Sequence, residues 1–248
     1  MCGRYALWAQ TKDLQHLFEL DLLVDSWDGS WNAAPGQALP AVFERYETIA
    51  PPSEKFSGKK RVRRLQKLEW GLVPSWAKQP RGMINARLET VAEKPSFAQS
   101  LQYRRCLVPA NGYYEWQQLD GRKQPYFFSQ APGDPVMAFA GIYDAWRQGG
   151  PADSRADGEV GPWRRTFAII TQAAPDSLGH IHDRTPVIIP EYMWDRWLDP
   201  AVTEPRAVLR MIEAMERIPL VPRPVSRAVG SVRNDRPQLV EEVDLAGE

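Results

Sequence analysis

Two hydrophobic rhythms alternate along this chain. Near the start, Thr11 precedes KDLQHLFEL, where Leu14, Leu17 and Phe18 share one helical face, so a short amphipathic helix capped by Thr11 is expected. After the turn formers Gly29, Pro35, Gly36 and Pro40, residues 41–47 (AVFERYE) shift to the period of two that marks a strand. Residues 50–64, APPSEKFSGKKRVRR, break both rhythms and read as an exposed loop. From residue 65 to 170 strand-like runs dominate: RCLVPA, GYYEWQQ, PYFFSQ, PVMAFAGIYDAW and TFAIIT. Asp120-Gly121 reads as the hairpin turn between the second and third. Residues 89–101 form the helical stretch among them, and residues 148–163 a second exposed loop. Two helices are expected late, over 191–198 and 206–217, before LVPRPV closes the core as a strand. Many strands with scattered helices, no repeats and no linker indicate α+β. The expectation is a single domain spanning 1–248, built on a strand-rich curled sheet or barrel-like core with a few peripheral helices.

Composition narrows the function classes. The chain has 248 residues with 31 Lys+Arg against 31 Asp+Glu, so a globally basic nucleic-acid coat is excluded while a local basic groove is not. Ten Trp and 22 Pro suggest a loop-rich body with aromatic clefts. Cys2 and Cys106 are the two cysteines, which excludes a disulfide framework and a Cys-x-x-Cys zinc site and fits a reducing cytoplasm. Cys106 opens an apolar strand and reads as a buried small hydrophobe. The opening residues MCGRYALWAQ lack the apolar run of a signal peptide, and no segment approaches the roughly 18 apolar residues of a membrane span. A cytoplasmic protein with no membrane partner is expected, and with no coiled-coil pattern, a monomer. His180 and His182 have no acidic or Cys ligand cluster beside them, so neither a metal nor another cofactor is expected.

Cys2 carries the most distinctive chemistry. Removal of an initiator Met ahead of a small second residue would expose a free α-amine and a thiol two carbons apart. Such an amine condenses with an aldehyde to an imine, and the thiol then closes a five-membered thiazolidine. With a reference pKa of about 7.7–8.0, a useful fraction of the amine is neutral at pH 7. The plainer reading is an arbitrary residue at a frayed end. Glu115, between Tyr114 and Trp116, has two readings as well: a solvent-facing residue of an alternating strand, or a carboxyl raised in a dry cleft to shuttle protons near neutrality. His182 can exchange a proton at physiological pH. Residues 55–64 form the strongest basic run, either a solvated loop or an auxiliary DNA contact.

Five motifs follow Cys2 in order: Trp31-Asn32-Ala33-Ala34-Pro35-Gly36, Trp70-Gly71-Leu72-Val73-Pro74-Ser75-Trp76, Ile84-Asn85-Ala86-Arg87-Leu88-Glu89-Thr90, Cys106-Leu107-Val108-Pro109-Ala110-Asn111-Gly112-Tyr113-Tyr114-Glu115-Trp116 and Ile181-His182-Asp183-Arg184-Thr185-Pro186-Val187. Together, from Cys2 to about Val240, they resemble the SRAP family (SOS response-associated peptidase), whose members shield abasic sites in single-stranded DNA. The resemblance implies that Cys2 crosslinks to the open-chain aldehyde of the abasic sugar. It implies that Asn85 holds the reacting terminus, that Glu115 is the catalytic glutamate and that His182 is the active-site histidine. It further implies DNA contacts at Arg4, Asn32, Trp76 and Arg87, and Arg184 is a further candidate for a forked phosphate contact. Some relatives have two adjacent aromatics where this chain has Trp76-Ala77. The expected partner is single-stranded DNA containing abasic sites, bound covalently, with associated lyase and self-reversal chemistry. The alternative is a cysteine peptidase with an N-terminal nucleophile, in its minimal form removing its own Met1.

Overall fold

Strand pairing in this molecule is driven by apolar residues on alternating positions, and the longest such runs make its framework. The computed structural model describes residues 2–48, 59–119, 121–131, 133–147 and 162–245. Its first part runs β1 (Tyr5–Leu7), α1 (Thr11–Leu17), β2 (Leu22–Leu23), β3 (Ser30–Ala33), β4 (Ala38–Thr48), β5 (Lys59–Trp70) and β6 (Asn85–Arg87). The middle contains α2 (Ala98–Tyr103), β7 (Arg105–Ala110), β8 (Gly112–Leu119), β9 (Arg122–Ser129), β10 (Met137–Arg147) and β11 (Trp163–Ala173). The last part holds α3 (Asp176–Gly179), β12 (Arg184–Pro186), α4 (Trp194–Leu198), α5 (Pro205–Glu213) and β13 (Val221–Pro224).

The strands form two sheets. One has five strands in the order β13-β9-β8-β1-β3, and the other eight, running β12-β11-β10-β7-β4-β5-β2 with β6 attached to β11. A parallel pairing of β11 with β5, Thr166 opposite Glu69 and Phe167 opposite Trp70, curls the larger sheet back on itself. The barrel-like core expected from the alternation is therefore present. It is filled by Phe43, Leu65, Trp70, Leu107, Phe139, Phe167 and Ile169, all essentially inaccessible. Cys106 lies among them at 0% exposure, the small buried residue expected. No helix among the described residues is long and apolar enough to cross a membrane.

Several local expectations are corrected. Gln10 is the N-cap and Thr11 the first helical residue. The Thr11 hydroxyl instead donates to the Trp27 carbonyl and accepts from the Trp27 N–H, while Asp13 accepts from the Gln10 N–H. Of the loop expected over 50–64, residues 50–58 lie outside the described residues, and residues 59–64 are the first half of β5. Lys60, Arg61, Arg63 and Arg64 are paired with carboxylates within the protein. Glu44, directly opposite Arg63 across the β4–β5 ladder, takes ion pairs from both Arg61 and Arg63, and Arg63 also pairs with Asp195 on α4. An alternating strand whose polar side chains are arginines reads as a loop when its carboxylate partner is 19 positions away.

Regular α-helix in the 89–101 stretch begins at Ala98, because Pro95 removes a donor and the preceding residues close successive turns. Of the second expected loop, residues 148–161 lie outside the described residues, and Trp163 already begins β11. The late helices are a 3-10 turn over Glu191–Met193 leading into α4, and α5, which ends at Glu213. β13 does not close the core; it is the edge of the five-stranded sheet, where its two prolines are tolerated.

Gly112 shows how tightly β8 is seated. A Cβ there would overlap the Phe127 ring edge and come within 2.6 Å of the Phe128 carbonyl. Overpacking of this kind costs about 1–3 kcal/mol. Gly112→Ala should therefore lower the melting temperature by roughly 2–4 °C for each kcal/mol lost. A wild-type melting temperature for Gly112→Ala would contradict this packing.

Candidate active site

Cys2 is fully buried, not frayed. Two sets of hydrogen bonds hold it there. The Arg4 carbonyl accepts from the Tyr114 N–H at 2.9 Å, which joins the segment before β1 to β8. The Asn85 side-chain amide donates to the Cys2 carbonyl at 2.8 Å. Asn85 can do this because β6 lies parallel to β11, with Asn85 opposite Ile169, so its backbone is fixed by the barrel. Burial pushes the Cys2 thiol far above its usual pKa, and the nearby Glu115 carboxylate pushes it in the same direction. The Arg4 backbone N–H bonded to the sulfur opposes this only in part.

Glu115 projects from β8 and is 3% exposed. Burial lifts its pKa to about 7, with the charge of Asp183 adding to the effect. Its Oε2 lies 3.6 Å from His182 Nε2. On the other side of the imidazole, Nδ1 accepts the Arg184 backbone N–H at 3.0 Å, so the neutral ring carries its proton on Nε2, facing Glu115. Burial lowers the His182 pKa below its ordinary value, even though Asp183 Oδ1 stands 3.1 Å from Nδ1 and favours the charged form. Near neutral pH the result is a neutral imidazole beside a carboxyl close to half-protonated. Such a pair can give or take a proton with little cost.

The expected DNA-contact residues fall into three places. Arg4 donates to Asn32 Oδ1 and to the Val229 carbonyl, both at 2.8 Å, with its guanidinium 5.9 Å from the centre of the Trp116 ring. Asn32 is 1% exposed, and its Nδ2 donates to the carbonyls of Val229, Ser231 and Asn234. Its amide thus ties Arg4 to the 229–234 segment. Arg87 and Arg184 flank the end of β11: Arg87 is paired opposite Thr171 through β6, and Arg184 donates to the Thr171 carbonyl from β12. Arg87 is exposed, whereas Arg184 is held by a forked ion pair with Glu89 at 2.6 and 2.9 Å. Trp76 is 54% exposed on a turn fixed at both sides: the Ser75 N–H donates to Asp144, and the Ala77 carbonyl accepts from the Trp146 indole.

Tyr113 and Thr185 were not among the expected site residues. Tyr113 and Thr185 are buried and share a hydrogen bond of 3.0 Å between their hydroxyls. Tyr113 was findable, since it stands two residues before Glu115 on one strand and so faces the same way. Thr185 carries no such signal. Among the described residues, no three His, Cys, Asp or Glu side chains are grouped to hold a metal ion.

Comparison with known proteins identifies the family. The family model described as SOS response associated peptidase (SRAP) matches residues 1–232. Abasic site processing protein YoqW of Bacillus subtilis is 32% identical over 248 residues, covering 97% of this chain and 99% of that protein. Abasic site processing protein YedK of Escherichia coli is 30% identical over 251 residues, covering 98% and 100%. Abasic site processing protein HMCES of Gallus gallus is 33% identical over 243 residues, covering 87% of this chain and 67% of that protein. Among solved structures, a protein from Bacteroides thetaiotaomicron superposes with a TM-score of 0.71 at 22% identity, covering 98% of this chain and all of that one, so the fold is shared.

The raised pKa of Glu115 has a measurable consequence for stability. Between about pH 4.5 and about 7 the folded protein holds the Glu115 proton more tightly than the unfolded chain does, so this residue's contribution falls as pH rises through that window. Glu115→Gln removes the effect. The variant should gain on the wild type between about pH 5 and about pH 8, by on the order of 2–3 kcal/mol in denaturant unfolding. A difference between the two proteins that does not change with pH would show that Glu115 is not perturbed by burial.

Proposed function

The chain belongs to the SOS response associated peptidase family, and on that premise we propose that it processes abasic sites in single-stranded DNA by covalent capture on Cys2, exposed by removal of Met1. The observation that carries this reading is the arrangement around Cys2: a buried residue held through its carbonyl by Asn85, beside a carboxyl raised to about 7 that faces His182. Three relatives are named abasic site processing proteins, which supports the same substrate.

The chemistry runs in balanced steps. His182 helps open the closed sugar to its aldehyde. The Cys2 amine attacks C1′ to give a carbinolamine, and Glu115 in its acid form protonates the hydroxyl, which leaves as water as the imine forms. The Cys2 sulfur then adds to the protonated imine carbon, and its S–H proton passes to the Glu115 carboxylate, leaving a neutral thiazolidine. An imine at C1′ also acidifies the C2′ protons and so permits β-elimination. Ring closure by sulfur withdraws that imine and protects the strand. Microscopic reversibility puts the same carboxyl on the return path. The buried thiol, held protonated, suits closure onto an activated imine better than attack on a peptide bond, which needs a thiolate. This favours aldehyde capture over the peptidase reading.

In this reading Arg4, Arg87 and Arg184 bind phosphates, Trp76 stacks on a base, and Asn32 serves by holding Arg4 in place. Arg184 must exchange Glu89 for a phosphate when DNA binds.

The test is an oligonucleotide with one abasic site, mixed with protein and heated before denaturing electrophoresis. Wild type should give a heat-stable crosslinked band. Cys2→Ser, which keeps the amine but loses the thiol, should give only an adduct that borohydride must trap. A heat-stable Cys2→Ser band equal to wild type would remove the thiazolidine from the account.

A further inference from the structure

Three side chains on one face of β8 reach across to the segment that carries His182. Tyr113 meets Thr185 at 3.0 Å, Glu115 meets His182 at 3.6 Å, and Gln117 Nε2 donates to the His180 carbonyl at 3.1 Å. As the β8 number rises by two at each rung, the partner number falls, so the two segments run antiparallel with side chains as the rungs. β8 belongs to the five-stranded sheet and β12, which begins at Arg184, to the eight-stranded sheet. The rungs therefore span two sheets that share no backbone ladder at this point.

We propose that the Tyr113–Thr185 hydrogen bond is the strut that sets the distance between Glu115 and His182, making Tyr113 and Thr185 positioning residues of the site. This rests on the reading of Glu115 and His182 as the acid–base pair. The middle rung is the longest of the three, so the rungs on either side decide where it settles. The Gln117 rung is exposed, whereas Tyr113 and Thr185 are 1% and 5% exposed. In such surroundings a hydroxyl pair is costly to separate, because Tyr113 would lose its buried partner and Thr185 would keep only a long 3.5 Å bond to the Pro186 carbonyl. The strut is also rigid at both ends. The Tyr113 ring stacks on Phe128 at 4.9 Å and 13°, and meets Phe139 edge-on at 6.0 Å. Thr185 is fixed in the β11–β12 ladder opposite Gln172.

A positioning role differs from a purely structural one in what it does to the proton-sharing pair. With the strut intact, Glu115 and His182 titrate as coupled neighbours, and the NMR titration of the His182 ring proton should depart from a single-site curve. The chain has three histidines, so His182→Ala assigns the signal. The other charges acting on His182, namely the N-terminal amine and the Asp183 and Arg184 side chains, remain unchanged in the variants. Thr185→Val and Tyr113→Phe remove the same bond from opposite ends. Each should turn the His182 curve into that of an isolated group and slow crosslinking by about 10–100-fold, with single-strand affinity unchanged. Thr185→Ser, which keeps the hydroxyl, should retain both wild-type properties. The second deletion added to the first should cost little more in rate.

A coupled, wild-type His182 titration in a folded Thr185→Val or Tyr113→Phe protein overturns the proposal, whatever happens to the rate. So do fully additive effects of the two deletions. Should one variant fail to fold, the other decides. Because the titration needs no DNA, a wild type that forms no crosslink would defeat the functional reading without touching this result.

Discussion

One hydrogen bond, from the Asn85 amide to the Cys2 carbonyl, governs how the rest of the site can work. The second residue of a sequence has few neighbours to hold it, and order there must come from elsewhere. Here it comes from a side chain on β6, itself docked on β11 of the barrel. A carbonyl held at one point leaves the amine and thiol of the same residue with few places to go. In the proposed function, the near-attack geometry that a condensation needs is thus a property of the two sheets, carried to Cys2 by the Asn85 amide and by the backbone bond between Tyr114 and Arg4.

Burial supplies the second half of the site. It acts oppositely on the two acid–base groups, raising the Glu115 carboxyl to about 7 and lowering the His182 imidazole below its ordinary value, so the neutral form of each is favoured. It also keeps the Cys2 thiol protonated until an electrophile arrives. The arginines proposed to bind phosphates lie where they can meet solvent, with Arg87 exposed and Arg4 and Arg184 partly so. A dry reaction centre with a wet, cationic margin fits a substrate whose aldehyde must be sequestered while its backbone stays hydrated.

Much of the framework was legible in the sequence because it depends on local rhythm. Runs such as RCLVPA and PVMAFAGIYDAW alternate strongly enough to specify strands, and strands without long helices between them curl onto one another. The basic stretch before Leu65 was misread because its partners, Glu44 and Asp195, come from elsewhere in the chain. The first helix was capped one residue early for a similar reason: Thr11 is occupied by Trp27. In the site, Cys2, Asn85, Glu115 and His182 were visible as residue types in an ordered set of motifs. Their adjacency was not, since Asn85 and Cys2 are 83 positions apart. The Tyr113 hydroxyl was findable from its spacing to Glu115, whereas its pairing with Thr185 was not, because that bond joins residues 72 positions apart in two different sheets.

Covalent capture at Cys2 is most directly tested by mapping the bond. Wild-type protein reacted with an abasic oligonucleotide would be digested with protease and nuclease, and the modified peptide sequenced by mass spectrometry. The account predicts one modified peptide, beginning at Cys2 with Met1 absent, whose mass is that of peptide plus sugar aldehyde less one water. Prior treatment with borohydride should leave that mass unchanged, because a thiazolidine has no imine to reduce. A modification on an internal lysine, or on a peptide that still begins with Met1, would contradict it.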